Sequence, residues 1–237
     1  LGLHVDTGQI VLTGLDEAEL GFGQRVVAPL IPRFQAKYPE IDVFLRLSDY
    51  LVDLYTEAVD VAVRMDTLPD SSLIVRKIAE IERVLCASPE YIARRGAPKS
   101  IADLERHNCL MLRYPGSRQF RWSLQRGGRA VSVPVSGRLD ADAGDVLTQW
   151  ALNGEGIAMK PVFEVAEHLR AGALVPVLPE NPPAPVTLAI LHAYQRMVPP
   201  KVRAFADVLA EEARGHIETA LALAKPAGRA ARGRRRG

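Results

Sequence analysis

GQRVVAPLIPRFQAKYPEIDVFLRLSD, residues 23–49, changes its hydrophobic period once, and that change decides the fold. Val26, Val27, Leu30, Ile31 and Phe34 recur every three or four residues, the stripe of a helix with one buried face, which predicts a helix over residues 23–37. Tyr38-Pro39-Glu40 ends it, and residues 41–47 read as a strand. Ser48-Asp49 then offers N-cap chemistry to a helix over residues 51–58. Outward from this stretch, a strand over residues 9–13 enters through an acidic loop, and residues 60–64 form the next strand. The order βαβαβ predicts an α/β lobe with a mainly parallel sheet, whose ligands gather beyond the carboxyl ends of its strands.

The same alternation continues almost to the end. Strands are predicted at residues 73–78 and 83–87, then a short helix opened by Ser88-Pro89-Glu90, where a second lobe begins. Its elements are a helix at 101–106, strands at 109–112, 121–124, 131–135 and 137–140, and a helix at 143–152. Gly154 and Gly156 release the chain into a strand at 157–159, and Pro161 starts a helix to about Arg170. A strand at 174–178 and a proline-rich connector, 179–185, lead to a strand at 186–193 and a helix at 199–214.

With 48% hydrophobic and 24% charged residues among 237, the chain can bury a large core. Apolar runs such as 26–31 and 186–191 fall far short of the roughly 20 residues that cross a bilayer. Residues 1–9 lack the basic start and apolar core of a secretory signal, and two cysteines make no disulfide framework, so a cytoplasmic location is expected. The last 13 residues carry six Lys and Arg and no acid, which leaves residues 1–224 at −4 against +2 for the whole chain. That balance argues against the folded body being a phosphate-binding surface in its own right. The basic tail, taken as residues 215–237, reads as disordered, with nonspecific contact to nucleic acid as its alternative use.

Several segments in fixed order resemble the effector-binding region of LysR-type transcriptional regulators across about residues 8–212. They are Val27-Ala28-Pro29-Leu30-Ile31-Pro32-Arg33-Phe34, Leu47-Ser48-Asp49 with Leu51-Val52-Asp53-Leu54, Asp60-Val61-Ala62-Val63-Arg64 and Leu68-Pro69-Asp70-Ser71-Ser72-Leu73. Further along come Val84-Leu85-Cys86-Ala87-Ser88-Pro89-Glu90-Tyr91, His107-Asn108-Cys109-Leu110, Gly154-Glu155-Gly156-Ile157-Ala158 and Pro199-Pro200-Lys201-Val202-Arg203-Ala204-Phe205. The resemblance implies two Rossmann-like lobes joined by two crossover strands, a type 2 periplasmic-binding-protein-like fold. The lobes are drawn at residues 8–86 plus 190–214 and 87–189, with a small-molecule effector in the cleft between them. It also implies a homodimer or homotetramer, and promoter DNA contacted only through an N-terminal winged helix-turn-helix that does not fit before Gln9. A free-standing solute-binding protein is the alternative.

The family's effector contacts map onto Gly21, Phe22 and Gly23, onto Ser48 and Asp49, onto Tyr114, and onto Asp142, Ala143 and Gly144. Helix N-termini offer free N–H groups to an anion and Ser48 offers a hydroxyl, although Ser48 or Asp49 serves equally as a helix cap. Arg64 and Lys160 each follow a strand toward the cleft and suit a carboxylate, or stand as solvated strand ends. The loop 14–23 looks longer than the family's and carries Asp16, Glu17 and Glu19, which keeps a cationic ligand in play. Phe22, Tyr114 and Trp122 suit the walls around an aromatic ligand, with core packing as the other role for Trp122. Cys86 reads as an inert buried thiol. The five histidines show no metal-ligand spacing, no serine stands in a nucleophile elbow, and Gly21 and Gly23 make only a fragment of a dinucleotide fingerprint. No catalytic residue, metal or cofactor is expected.

Overall fold

In the computed structural model the described residues are 6–13, 21–48, 59–66, 74–113, 120–192 and 198–224. The helix 51–58, the turn 68–72, and the candidate residues Asp49 and Tyr114 lie outside them. The first sheet runs β2 (Ile41–Ser48), β1 (Asp6–Thr13), β3 (Val61–Asp66), β12 (Val186–His192), β4 (Ile74–Ile81). β1 is parallel to both β2 and β3, while β12 returns antiparallel between β3 and β4. The second sheet runs β11 (Val175–Pro176), β5 (Arg83–Ala87), β10 (Ile157–Pro161), β6 (Cys109–Leu112), β9 (Asp140–Ala141). A separate hairpin pairs β7 (Arg121–Arg126) with β8 (Arg129–Pro134). Two lobes of an α/β fold follow from this pairing. The chain passes between the sheets at Glu82 and again between β11 and β12, so the lobe limits expected at 86/87 and 189/190 fall inside β5 and β12.

Residues 23–37 are helical as their period predicts, but Gly21 and Phe22 are already helical, and a π-helical turn, Gly23–Val27, stands between them and α1 (Ala28–Lys37). Pro29 and Pro32 supply no N–H to the carbonyls four residues back, and the N–H of Ala28 reaches Gly23 instead. Val26, Val27, Leu30 and Phe34 are the buried positions, and Phe34 stands edge-on to Phe205 with centroids 5.2 Å apart. In the second lobe Ser88 caps α2 (Pro89–Arg95), accepting from the Tyr91 N–H at 3.2 Å. Residues 101–106 form a 3₁₀ turn rather than an α-helix, and Asp103 accepts from the Lys99 and Ser100 N–H groups at 2.9 Å. The strand expected at 137–140 is reduced to β9.

The last helix corrects the expected disorder over residues 215–224, while residues 225–237 of the expected tail lie outside the described residues. α5 spans Pro200–Ala224, because Ile217 and Ala220 carry on the buried stripe of Phe205, Leu209 and Ala213. Its final turns reach the second lobe's α4 (Val162–Arg170): Phe163 and Ala166 of α4 lie in the first lobe's apolar core, and His216 meets the Phe163 ring with centroids 6.0 Å apart. No described helix is long and apolar enough to cross a membrane.

Candidate functional site

Parallel strands point their carboxyl ends one way, and the loops leaving those ends build the site. In the first lobe Thr13 and Ser48 end β1 and β2 level with one another. In the second, β6, β9 and β10 end at Leu112, Ala141 and Pro161, and the chain leaving β9 passes through Asp142 and Ala143 into α3 (Gly144–Leu152). Ala143 is the N-cap, and its carbonyl already accepts from Val146 at 3.0 Å and Leu147 at 3.3 Å.

The two lobes meet where these loops become helices. Arg25, in the first helical turns after Gly21, Phe22 and Gly23, donates from Nη2 to Oδ1 of Asp145, directly after Gly144, at 2.7 Å. Phe22 is fully buried and packs edge-on against Phe163, centroids 5.9 Å apart. Gly21 fills the space between the lobes: a Cβ there would stand 2.5 Å from Arg25 Nη1 and 3.0 Å from Glu164 Oε1. Both atoms are the far ends of flexible side chains, so a small side chain at position 21 would displace them rather than meet a rigid wall. Lys160, at the end of β10, does not stand as a solvated strand end. Its Nζ lies 2.6 Å from Oε2 of Glu164, and both side chains are almost wholly buried.

A small recess opens at the carboxyl ends of β6 and β10, lined by Arg83, Leu110, Leu112, Trp122, Leu147, Met159 and Pro161. Apart from Arg83, its cation, the side chains that line it are apolar. Arg83 also donates from Nε and Nη2 to the Ala184 carbonyl, at 2.9 and 2.5 Å. That contact ties the first crossing between the lobes to the second, because Arg83 begins β5 and Ala184 lies two residues before β12. Trp122 is buried in the second lobe's core, the packing role foreseen for it, and one side of it lines the recess.

Gly21, Phe22, Gly23, Lys160 and the loop 142–144 thus converge at the lobe contact. Ser48 ends β2, and Arg64 lies on β3, level with Ala189 and half-buried. Cys86 is fully buried and its thiol is pushed up to about 12 by burial, as is that of Cys109. Among the described residues no group of three His, Cys, Asp or Glu is placed to hold a metal ion. The sequence reading passed over Arg25, Asp145, Glu164, Arg83 and His216. Only Glu164 left a trace, four residues from Lys160, and the strand-to-helix break at Pro161 hid it.

Known proteins share this architecture. The model of the LysR substrate binding domain matches residues 18–214. The chain is 38% identical over 163 residues to the HTH-type transcriptional regulator DmlR of Escherichia coli K12, covering 69% of this chain and 53% of that protein. It is 37% identical over 161 residues to the HTH-type transcriptional activator TtdR of the same strain, covering 68% of this chain and 52% of that protein. The chain thus spans about half the length of these relatives. Among solved structures, the regulatory domain of CrgA from Neisseria meningitidis superposes with a TM-score of 0.71 at 28% identity, covering 87% of this chain and 98% of that one. Full-length AphB of Vibrio cholerae, a virulence activator of the LTTR family, gives 0.71 at 29% identity over 87% of this chain and 68% of that one. The chain belongs to the LysR substrate-binding domain family and is a ligand-sensing regulatory domain of that type.

Proposed function

We propose that a small-molecule effector enters between the lobes, shifts their relative arrangement, and so controls transcription through a DNA-binding regulator of the LysR type acting in the cytoplasm. The observation that carries this reading is the Arg25–Asp145 pair, which ties the Gly21–Gly23 segment of one lobe to the 142–144 loop of the other. A ligand seated among these groups changes the balance between lobe arrangements by the ratio of its affinities for them, and tenfold preference is worth about 1.4 kcal/mol. Backbone N–H groups at residues 21–23 and 142–144, the Ser48 hydroxyl, Asp49, Arg64 and Tyr114 complete the proposed contacts. Lys160 acts in this reading through Glu164 and Gly21, and Arg83 supplies the cation at the floor.

Binding without turnover is part of the proposal, in line with the transcriptional-regulator names of the relatives. A homo-oligomer is proposed through β2, an edge strand carrying Phe44 at 55% exposure. Promoter contact by a helix-turn-helix is likewise proposed from the relatives' names. The test is a thermal-shift screen of small organic acids and amines. An effector raises the melting temperature with concentration because it binds the folded state. Arg25→Gln with Asp145→Asn should change the affinity of any hit, and a hit indifferent to that change and to Ser48→Ala would refute the placement.

A further inference from the structure

Residues 107–139 hold six arginines, Arg113, Arg118, Arg121, Arg126, Arg129 and Arg138, and no aspartate or glutamate. The −4 balance of the body averages over this segregation. Arg113 is neutralised by a two-pronged contact with Asp140, at 2.7 and 2.8 Å. Arg121 donates to the hydroxyl and carbonyl of Ser132, which are neutral. Among the described residues no carboxylate pairs with Arg126, Arg129 or Arg138.

The β7–β8 ribbon places two of these together. Gly127 and Gly128, with φ of +58° and +77°, make the two-residue turn, and Arg126 stands directly opposite Arg129. Directly opposed residues lie about 4.5–5.5 Å apart at Cα, and like charges in that position destabilise a hairpin. Both side chains are exposed. The ribbon is held to the second lobe at Gln125, whose N–H donates to Pro182 at 2.8 Å, and at Ser123, which accepts from the Ala184 N–H at 2.8 Å. Its tip thus holds two exposed arginines of like charge opposite one another on a ribbon fixed at its base.

We infer that this arginine-tipped ribbon is a second contact to DNA, gripping the phosphate backbone of the duplex. The partner is DNA because guanidinium forks match phosphate in pairs, a two-stranded ribbon fits a duplex groove, and the relatives carry HTH-type names. The inference rests on the DNA-regulator reading above. The contact is sequence-independent, since phosphates carry no base information.

Fluorescence anisotropy of the full chain on a labelled duplex of arbitrary sequence, across a salt series, tests it. Each phosphate contact adds about 0.9 to the slope of log affinity against log salt, so Arg126→Ser with Arg129→Ser should lower the slope by about 1.8. Between about 50 and 200 mM salt the unaltered chain should therefore lose about 12-fold more affinity than the variant. Arg33→Ser with Arg76→Ser removes the same charge from the pairs with Glu212 and Asp207, and should leave the slope unchanged. An unchanged slope in the ribbon variant, or an equal fall in the control, overturns the inference. If the ribbon variant keeps its DNA slope but loses binding to polyglutamate, the surface belongs to an acidic protein and the DNA assignment fails. Effector-induced melting shifts report on the cleft separately, so failure of the ribbon and failure of the sensing role are distinguishable.

Discussion

Replacing Lys160 with Met tests whether the lobe contact depends on a buried ion pair. Methionine keeps the length of the chain but removes the ammonium 2.6 Å from Glu164, whose side chain is only 3% exposed. Breaking one partner of a buried pair leaves the other's charge desolvated, which costs about 3–5 kcal/mol. In a protein of this size each kcal/mol moves the melting temperature by about 2–4 °C, so Lys160→Met should lower it by roughly 6–20 °C. Removing both charges in Lys160→Met with Glu164→Leu should recover most of the loss, because well-packed apolar groups replace such pairs at little net cost. Urea unfolding followed by Trp122 and Trp150 fluorescence, with thermal melts alongside, measures the cycle. A loss under about 1 kcal/mol for the single variant, or a double variant no more stable than the single, would refute the reasoning. It would return Lys160 to the role of a solvated cation free to meet a ligand.

Gly156→Ala should destabilise by about 1–3 kcal/mol or more in the same melts, because its Cβ would fall 2.2 Å from the Asn108 carbonyl that receives the Ile157 N–H at 2.9 Å. An unaffected melt would mean that β6 and β10 are spaced differently. Cys86 and Cys109, both buried and pushed up to about 12, should ignore a disulfide reagent in the native protein and react in urea. Fast native reaction of either thiol would contradict its placement. His216 is held below its ordinary value near 6.5, first by burial and then by the Arg25 charge, and its Nε2 is buried without a partner. Its imidazole then binds a proton more readily in the unfolded chain, so stability should fall as pH drops below about 6.5. His216→Phe should weaken that acid sensitivity, leaving the part due to His107, which burial also lowers; an identical pH profile would remove His216 from the account.

The fold was largely legible in the chain because its elements announce themselves by local period. β6 was readable to the residue at Cys109–Leu112, and Ser88 was readable as the cap of α2. Where a local signal was ambiguous the reading stopped short. Residues 215–224 continue a helical stripe through Ile217 and Ala220, but the arginine-rich end that follows drew them into the expected tail. The π-helical turn left no mark in the hydrophobic period, because one extra residue per turn at Gly23–Val27 still buries Val26 and Val27.

The candidate site was legible only as loops. Sequence placed Gly21–Gly23 and Asp142–Gly144 at helix starts, since helix starts are written in neighbouring residues. It could not join Arg25 to Asp145, 120 residues away, or show that Lys160 is consumed by Glu164. Those pairings depend on how two sheets dock, and docking is decided by the summed burial of side chains such as Phe22, Phe163 and His216 from both lobes. Short-range periodicity thus determined which elements form and in what order, while the charges that meet between the lobes were decided by tertiary packing, because no local pattern records a partner so distant along the chain.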